Sequence, residues 1–342
     1  MAHKLTDRRQ AGKTTLQLPP FGFGTAHLGG MYQRVSGELA HATMAAAWDA
    51  GVRFYDSAPW YGRGLCEHRA GDFLIDMPRH EFIVTTKVGR YFKRPTSPSS
   101  FDKTPWGGGL AMEVVWDYGY GGVMRAYEQS LLRLGLDTVD ALFIHDPEPG
   151  AHGEHHAARM RDMATGGIKA LEELKASGQI KAIGMGMNAA ESLVNIAPLV
   201  PLDFCIVAMP YTLLDQGSLS TGMQRCIEEG ISVVIGAPYA SGILATGPIE
   251  GARYAYGFAD EPTKARARAI QAVAARHGVS LQAAALQFPL AHPAVVSVIP
   301  GGVKPEEVTA NARYVTEVIP VDFWAELKAE GLIVADAPVP TA

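Results

Sequence analysis

VDALFIH (139–145), ATGGIKALEELKASG (164–178) and IKAIGMG (180–186) read in order as strand, helix and strand, and that unit decides the fold. The outer runs are short and dominated by apolar and branched side chains. The middle run spaces its apolar residues at helical intervals and closes on Gly178, a helix-ending residue. The same alternation extends in both directions. Further strand-like runs are FGFGT (21–25), VRFYD (52–56), FIVTTK (82–87), DFCIVAM (203–209), ISVVIG (231–236) and VVSVI (295–299), which makes eight. Helical spacing recurs in SGELAHATMAAAWDAG (36–51), MRAYEQSLLRLGLD (124–137) and KARARAIQAVAARHG (264–278). Ser36 offers an N-cap, Glu38 a first-turn carboxylate, and Gly51 and Gly278 C-terminal stops.

Apolar strands alternating with helices imply a parallel sheet with right-handed crossovers, and eight such units imply an α/β chain folded as a (β/α)8 barrel. An open doubly wound sheet would carry G-x-G-x-x-G directly after its first strand. Here GFGTAHLGG (22–30) runs into MYQRV without that spacing. The expected organisation is one domain over 1–342, with the barrel at about 20–315 and a C-terminal extension at 316–342. That extension includes the helix-like VIPVDFWAELKAEGLI (318–333). Two connections, 89–122 and 146–167, exceed ordinary turns. Both follow strands, so both belong at the C-terminal mouth as lids or mobile segments.

Composition narrows the function. Of 342 residues, 47% are hydrophobic and 19% charged, which excludes an intrinsically disordered chain. A net charge of −5 argues against a nucleic-acid binder. No apolar run approaches the ~20 residues of a membrane span. The start, MAHKLTDRRQAGKTTLQLPP, has no apolar core, so it does not read as a secretory signal. Cys66, Cys205 and Cys226 form no CxxC pair, and a reducing, cytoplasmic setting is expected. His152, His155 and His156 have no ordered carboxylate partners. They read as a solvated lid segment, and no metal is expected.

Three polar residues end three different strands: Asp56 after VRFY, Lys87 after FIVTT and His145 after VDALFI. Singly they are a turn cap, a solvated strand end and a core histidine. At one barrel mouth they become neighbours. Tyr61, five residues past Asp56 in DSAPWYG, can fold over the same mouth and supply a proton-transfer group. A phenol transfers protons near neutrality only if a cation lowers its pKa, and Lys87, positioned by Asp56, is the expected cation. Tyr61 could instead be a loop anchor beside Trp60.

GVRFYDSAPWYG (51–62), Lys87 in TTKVG and His145 in FIHDP together resemble the Asp–Tyr–Lys–His tetrad of the aldo-keto reductase superfamily. VWDYGYGGVMRAYEQSLLRLGLDTVDALFIHDP (115–147), PYTLLDQ (210–216) and GAPYASGILATG (236–247) are similar to its branch of sugar 1-dehydrogenases and pyridoxal 4-dehydrogenases. That resemblance implies a nicotinamide dinucleotide lying across the mouth, with the tetrad in its family roles. It makes Tyr211 the aromatic that stacks on the nicotinamide, or else a rim-packing residue. It makes Gly236, Ser241, Gly242 and Leu244 the pyrophosphate loop. Asn188, in GMGMN, is a carboxamide contact or a helix cap.

The resemblance also places the adenosine phosphate at IPGGVKPEEVTANAR (299–313). NADP-dependent relatives there resemble I-P-K-S-x-T-x-x-R-x-x-E-N. Gly301 and Gly302 replace the Lys and Ser, Glu307 replaces the Arg, and Asn311 remains. A carboxylate at the phosphate position favours NAD over NADP, with Lys304 as the counterweight. Trp60, Trp116, Tyr120, Met31 and Phe92 are candidates for the substrate wall, alongside His145. The implied activity is oxidation of an aldose of the L-fucose or D-threo-aldose type to its lactone. Pyridoxal is the alternative small-molecule substrate, and a general aldehyde or ketone reductase or a cofactor-binding regulatory subunit are further alternatives.

Overall fold

Branched, apolar runs become strands where both faces are covered, and all eight do so here. The structure, a computed structural model, describes residues 3–341; residues 1, 2 and 342 of the expected span lie outside the described residues. The barrel strands are β1 (Phe23–Gly24), β2 (Phe54–Asp56), β3 (Ile83–Val88), β4 (Ala141–His145), β5 (Ala182–Met187), β6 (Phe204–Ala208), β7 (Ser232–Gly236) and β8 (Val295–Ile299). They pair in chain order, each parallel to the next. Phe21 bridges Val298, and three backbone bonds seal the seam. Gly22 N–H donates to Val298 at 2.9 Å, Val298 N–H to Pro20 at 3.0 Å, and Gly24 N–H to Pro300 at 3.1 Å. Closure leaves no free sheet edge among these strands.

Helices wrap the sheet: α1 (Gly37–Asp49), α2 (Leu65–Leu74), α3 (Tyr120–Leu134), α4 (Ile168–Ala176), α5 (Ala190–Asn195), α6 (Gln224–Glu229), α7 (Glu261–Arg276), α8 (Leu281–Leu290), α9 (Pro305–Tyr314) and α10 (Val321–Ala329). Ser36 caps α1 by accepting from Leu39 N–H at 3.1 Å. Gly51 and Gly178 take left-handed conformations past the ends of α1 and α4. Among the described residues no helix is long and apolar enough to cross a membrane.

One terminal segment adds to the barrel, and two long connections depart from their sequence reading. The basic N-terminal arm forms a hairpin, Arg9–Gln10 against Gln17–Leu18, whose Ala11, Leu16 and Leu18 join the apolar barrel interior. Its contacts to Asp203, Ser232 and Val295 place it at the N-terminal end, opposite the mouth. The 89–122 connection folds as a ribbon pairing Arg90–Lys93 with Glu113–Trp116. The 146–167 connection folds as short helical turns, Pro149–His152 and His156–Asp162, then a widened turn at Met163–Gly167 that runs into α4. Hydrogen-bonded backbone replaces the open loops expected there.

Gly71 lets α2 sit against the last turn of α3. A Cβ there would lie 2.2 Å from the Leu134 carbonyl oxygen and 2.6 Å from its carbon. On an open helix face Gly→Ala gains about 1 kcal/mol. Here crowding against backbone dominates, so Gly71→Ala lowers stability by about 1–3 kcal/mol. The check is a urea unfolding midpoint below wild type; an unchanged or higher midpoint contradicts the packing argument.

Candidate active site

Side chains alternate across a strand, so Thr85 and Lys87 of β3 share one face while Thr86 takes the other. The inner face meets Asp56 at the end of β2. Lys87 Nζ donates to Asp56 Oδ2 at 2.6 Å and to the Ser57 carbonyl at 2.7 Å, while Thr85 Oγ1 donates to Asp56 Oδ1 at 2.8 Å. Lys87 and Asp56 are 1% and 2% exposed. The ammonium lies 4.8 Å from the centre of the Tyr61 ring, and that ring meets His145 edge-on, with centroids 5.8 Å apart. The structure therefore brings the four sequence-selected residues together at the mouth.

Tyr61 begins a tight turn held by its neighbours. Gly62 and Gly64 are left-handed, and a Cβ on Gly62 would come within 2.7 Å of the Gly29 backbone. Leu110 N–H donates to the Gly62 carbonyl at 3.0 Å and Gly107 N–H to the Gly30 carbonyl at 2.9 Å. Three loops are thereby stitched around the phenol.

Electrostatics revises one expectation. Burial pushes the Tyr61 phenol well above its ordinary value, and Asp56, Tyr256 and Asp146 add to the rise. Lys87 was expected to lower it. In the structure the ammonium is bound to a carboxylate and a carbonyl, so its field is largely cancelled, and Tyr61 is a neutral phenol in this site. Burial holds His145 well below its ordinary value, with Arg90 and Lys87 reinforcing and Asp146 opposing. His145 is therefore a neutral imidazole. Its Nδ1 is buried without a hydrogen-bond partner, and its Nε2 lies 3.5 Å from Asp146 Oδ1.

These groups open into a cavity of about 350 Å³ lined by aromatic and sulfur side chains, including Met31, Tyr32, Trp60, Trp106, Met187 and Tyr256. A larger hollow near the start of α1 lies outside this cluster. Met31 and Trp60 thus fall where expected, while Trp116, Tyr120 and Phe92 do not. Trp116 packs behind the wall against Tyr118, His152 and the Arg90 guanidinium. Tyr120 is an exposed residue at the start of α3 that donates to Glu173 at 2.7 Å. Phe92 is buried beside Arg133. His152 is no solvated lid residue either: it is buried, with Nε2 2.7 Å from the Asp146 carbonyl and 3.2 Å from the Tyr118 hydroxyl.

Sequence reasoning missed Tyr32, Trp106, Asp146 and Tyr256. Asp146 directly follows His145, so its position at the mouth was readable. Tyr256 reaches the cavity from the hairpin Arg253–Tyr254/Gly257–Phe258, where no local pattern announces the return.

The dinucleotide candidates divide. Asn188 lies at the cavity edge, its Nδ2 3.3 Å from Asp146 Oδ1 and its Oδ1 accepting from Tyr256 at 2.8 Å. Gly236 ends β7 close to Ile206 and Ala208 of the cavity floor. Ser241 and Gly242 are left-handed, and a Cβ on Gly242 would meet open space, so this turn leaves room for a ligand. The Gly242 and Leu244 N–H groups, however, both bond to the Tyr239 carbonyl, at 2.9 and 3.2 Å, and Leu244 is fully buried. They are not free pyrophosphate donors.

Tyr211 is also corrected. It is fully buried, stacked on Phe288 at 5.5 Å and edge-on to His292, so its ring belongs to the core and cannot cover a nicotinamide. Past β8, Gly301 lies against His27, and Gly302 faces Val308. Glu307 turns back on its own helix, accepting from Val303 N–H at 2.7 Å and Lys304 N–H at 3.3 Å. Lys304 is exposed at the N-cap of α9, and buried Asn311 accepts from the Tyr239 hydroxyl at 2.6 Å. The open space at the Gly242 turn and the Asn188 carboxamide at the cavity edge are compatible with a bound nicotinamide cofactor.

The pattern describing the aldo/keto reductase family matches residues 20–330. The chain is 38% identical over 341 residues to a pyridoxal 4-dehydrogenase of Microbacterium luteolum, covering 96% of this chain and 99% of that protein. It is 38% identical over 330 residues to a D-threo-aldose 1-dehydrogenase of Pseudomonas sp, covering 94% and 97%. Among solved structures, an aldo-keto reductase from Bacillus halodurans in its holo form superposes with a TM-score of 0.75 at 24% identity, covering 98% of each chain, a likeness in fold.

Removing Lys87 leaves Asp56 buried without its cation. Lys87→Met should therefore cost about 3–5 kcal/mol of stability as well as activity. Tyr61→Phe removes only a hydroxyl and should keep the fold while reducing kcat at least about 100-fold. Thermal melts and steady-state rates separate the two. A Tyr61→Phe protein within tenfold of wild type contradicts a proton-transfer role.

Proposed function

The chain belongs to the aldo/keto reductase family, and from that premise we propose that it is an NAD-dependent dehydrogenase oxidising a cyclic hemiacetal to its lactone. The first substrate choice is an aldose of the L-fucose or D-threo-aldose type, oxidised at its anomeric carbon. The observation that carries this reading is the Lys87–Asp56 pair packed beside Tyr61 and His145 in one aromatic cavity. Pyridoxal, which also closes to a cyclic hemiacetal, is the second reading. The equal identity to relatives named for each substrate favours keeping both.

In the oxidising direction the deprotonated form of Tyr61 takes the hydroxyl proton of the substrate. His145, a neutral imidazole, orients the same oxygen through a hydrogen bond. The Lys87 ammonium, fixed by Asp56, packs against the Tyr61 ring and positions the phenol. A bound nicotinamide dinucleotide supplies the hydride acceptor. Trp60, Trp106 and Tyr32 offer apolar faces to a ring and keep water away from the reacting carbon.

NAD is the proposed cofactor because of Glu307. The helix N-terminus that would receive a 2′-phosphate already holds this carboxylate, so a phosphate arriving there meets a like charge. Loss of one such charge-assisted contact is worth about 1.5–3 kcal/mol, enough for NAD to lead by at least about tenfold in kcat/KM. Glu307→Gln keeps an acceptor for the helix end and should narrow the gap by improving KM for NADP. A wild-type preference for NADP contradicts this assignment. Incubating the protein with NAD and a panel of aldoses plus pyridoxal, with lactone detected directly, tests the substrate reading; absence of lactone from every member rejects it.

Because the Tyr61 phenol is raised, its basic form is scarce near neutrality and grows with pH. Oxidation should therefore accelerate from pH 7 towards pH 10. His145 sits well below its ordinary value, so no inflection belongs near 6.5. A pH profile of kcat/KM checks both, and a rate that falls above neutrality contradicts the proposed base.

A further inference from the structure

Arg90, the first residue of the ribbon after β3, is 2% exposed, yet it does not line the cavity. Its guanidinium bonds to Asp146 Oδ2, lies 3.9 Å over the Trp116 ring and stands 5.4 Å from the Trp60 ring. One planar cation thus braces both a carboxylate and an aromatic wall of the same cavity. Asp146 needs that brace. It is a non-glycine residue at φ 48°, a left-handed conformation kept only when surroundings enforce it.

The brace leaves Asp146 Oδ1 as the side facing the chemistry. That oxygen is 3.5 Å from His145 Nε2 and 3.3 Å from Asn188 Nδ2, and Asp146 lines the cavity. Tyr61, Tyr118, His152, Tyr256, Glu148 and Lys87 are its further charged and titratable neighbours. A carboxylate beside the residue that orients the reacting oxygen is placed to accept from a hydroxyl one carbon away. A site built to hydrogen-bond a substrate hydroxyl discriminates strongly against the analogue lacking it.

We propose that Arg90 is a positioning residue for specificity: by clamping Asp146 and backing Trp60, it makes the cavity select substrates with a hydroxyl on the carbon next to the reacting one. This rests on the assignment of Tyr61 and His145 to the reacting oxygen. It deepens the first substrate reading, because an aldose carries that hydroxyl beside its anomeric carbon and pyridoxal does not.

The test compares glyceraldehyde with propanal, two small aldehydes that differ in the neighbouring hydroxyls, reduced with NADH by wild type, Arg90→Met, Arg90→Lys and Asp146→Asn. Wild type should favour glyceraldehyde by at least about tenfold in kcat/KM. Arg90→Met should shrink that ratio by at least about tenfold, chiefly through a higher KM for glyceraldehyde, and Arg90→Lys should restore part of it. A wild type with no preference, or with no turnover of either aldehyde, overturns the proposal. So does an Arg90→Met protein in which both substrates fall equally, the mark of a purely structural role. If Arg90→Met does not fold, Asp146→Asn gives the same readout: loss of the preference supports the proposal and retention overturns it. Failure to form lactone from aldoses or pyridoxal would reject the proposed oxidation while leaving this ratio measurable.

Discussion

Everything at the mouth is arranged around one buried ion pair. Asp56 and Lys87 come from adjacent strands, so parallel pairing puts them side by side once the barrel closes. Such a pair is expensive to bury, and it persists because each charge has a second partner: the Ser57 carbonyl for the ammonium, the Thr85 hydroxyl for the carboxylate. Burial still pushes the Asp56 carboxyl upward against the pull of Lys87 and Thr85. The outer face of β3 repeats the device. Glu67 accepts from Thr86 at 2.6 Å and from Arg133 Nε at 2.7 Å, tying α2 and α3 to the strand that carries Lys87. One strand thus has a charged anchor on each face, and the inner one faces the reacting groups.

Around that pair the mouth concentrates backbone that ordinary packing would avoid. Tyr32, Arg63, Asp146, Met209, Ala237 and Ser241 are all left-handed without being glycine, and they lie on loops leaving the C-terminal ends of β1, β2, β4, β6 and β7. Each costs on the order of 1–3 kcal/mol and needs neighbours to enforce it. Asp146 has Arg90 and Asn188. Ser241 accepts from the Tyr256 N–H at 3.0 Å. The barrel below, with its apolar interior and sealed seam, provides the rigidity that such loops require.

The barrel was legible because its signals are local. Each strand is a short branched run, and each strand end names its residue, so Asp56, Lys87 and His145 could be placed from order alone. Tyr61 followed because it stands only five residues past a strand. What depended on long connections was not legible. Trp116 and Tyr120 occur on a segment that reaches the mouth, but the ribbon turns one behind the wall and α3 carries the other outward. Tyr211 follows β6 closely, yet Met209 at φ 79° redirects the chain and sends its ring into the core. Tyr256 arrives from the tip of a hairpin whose destination is set by contacts with Asn188 and Ser241. Glu307 was read by charge. Its hydrogen bonds to Val303 and Lys304 show that the same carboxylate first serves its own helix.

The hairpin that stoppers the far end of the barrel has a consequence for how the chain reaches this form. Arg9 bonds to the carbonyls of Leu290 and Val295, 281 and 286 positions further along, and Gly12 to Ser232, 220 positions on. During synthesis the stopper therefore leaves the ribosome ahead of every barrel strand and waits for its last contacts, at Leu290 and Val295. The apolar cluster around Leu16 and Leu18 gathers strand by strand, from Phe54 of β2 to Ile299 of β8, and is complete only when the last strand arrives. Closing the cylinder and seating the stopper both draw on that one strand, because Val298 makes the seam with Phe21 and Val295 accepts from Arg9.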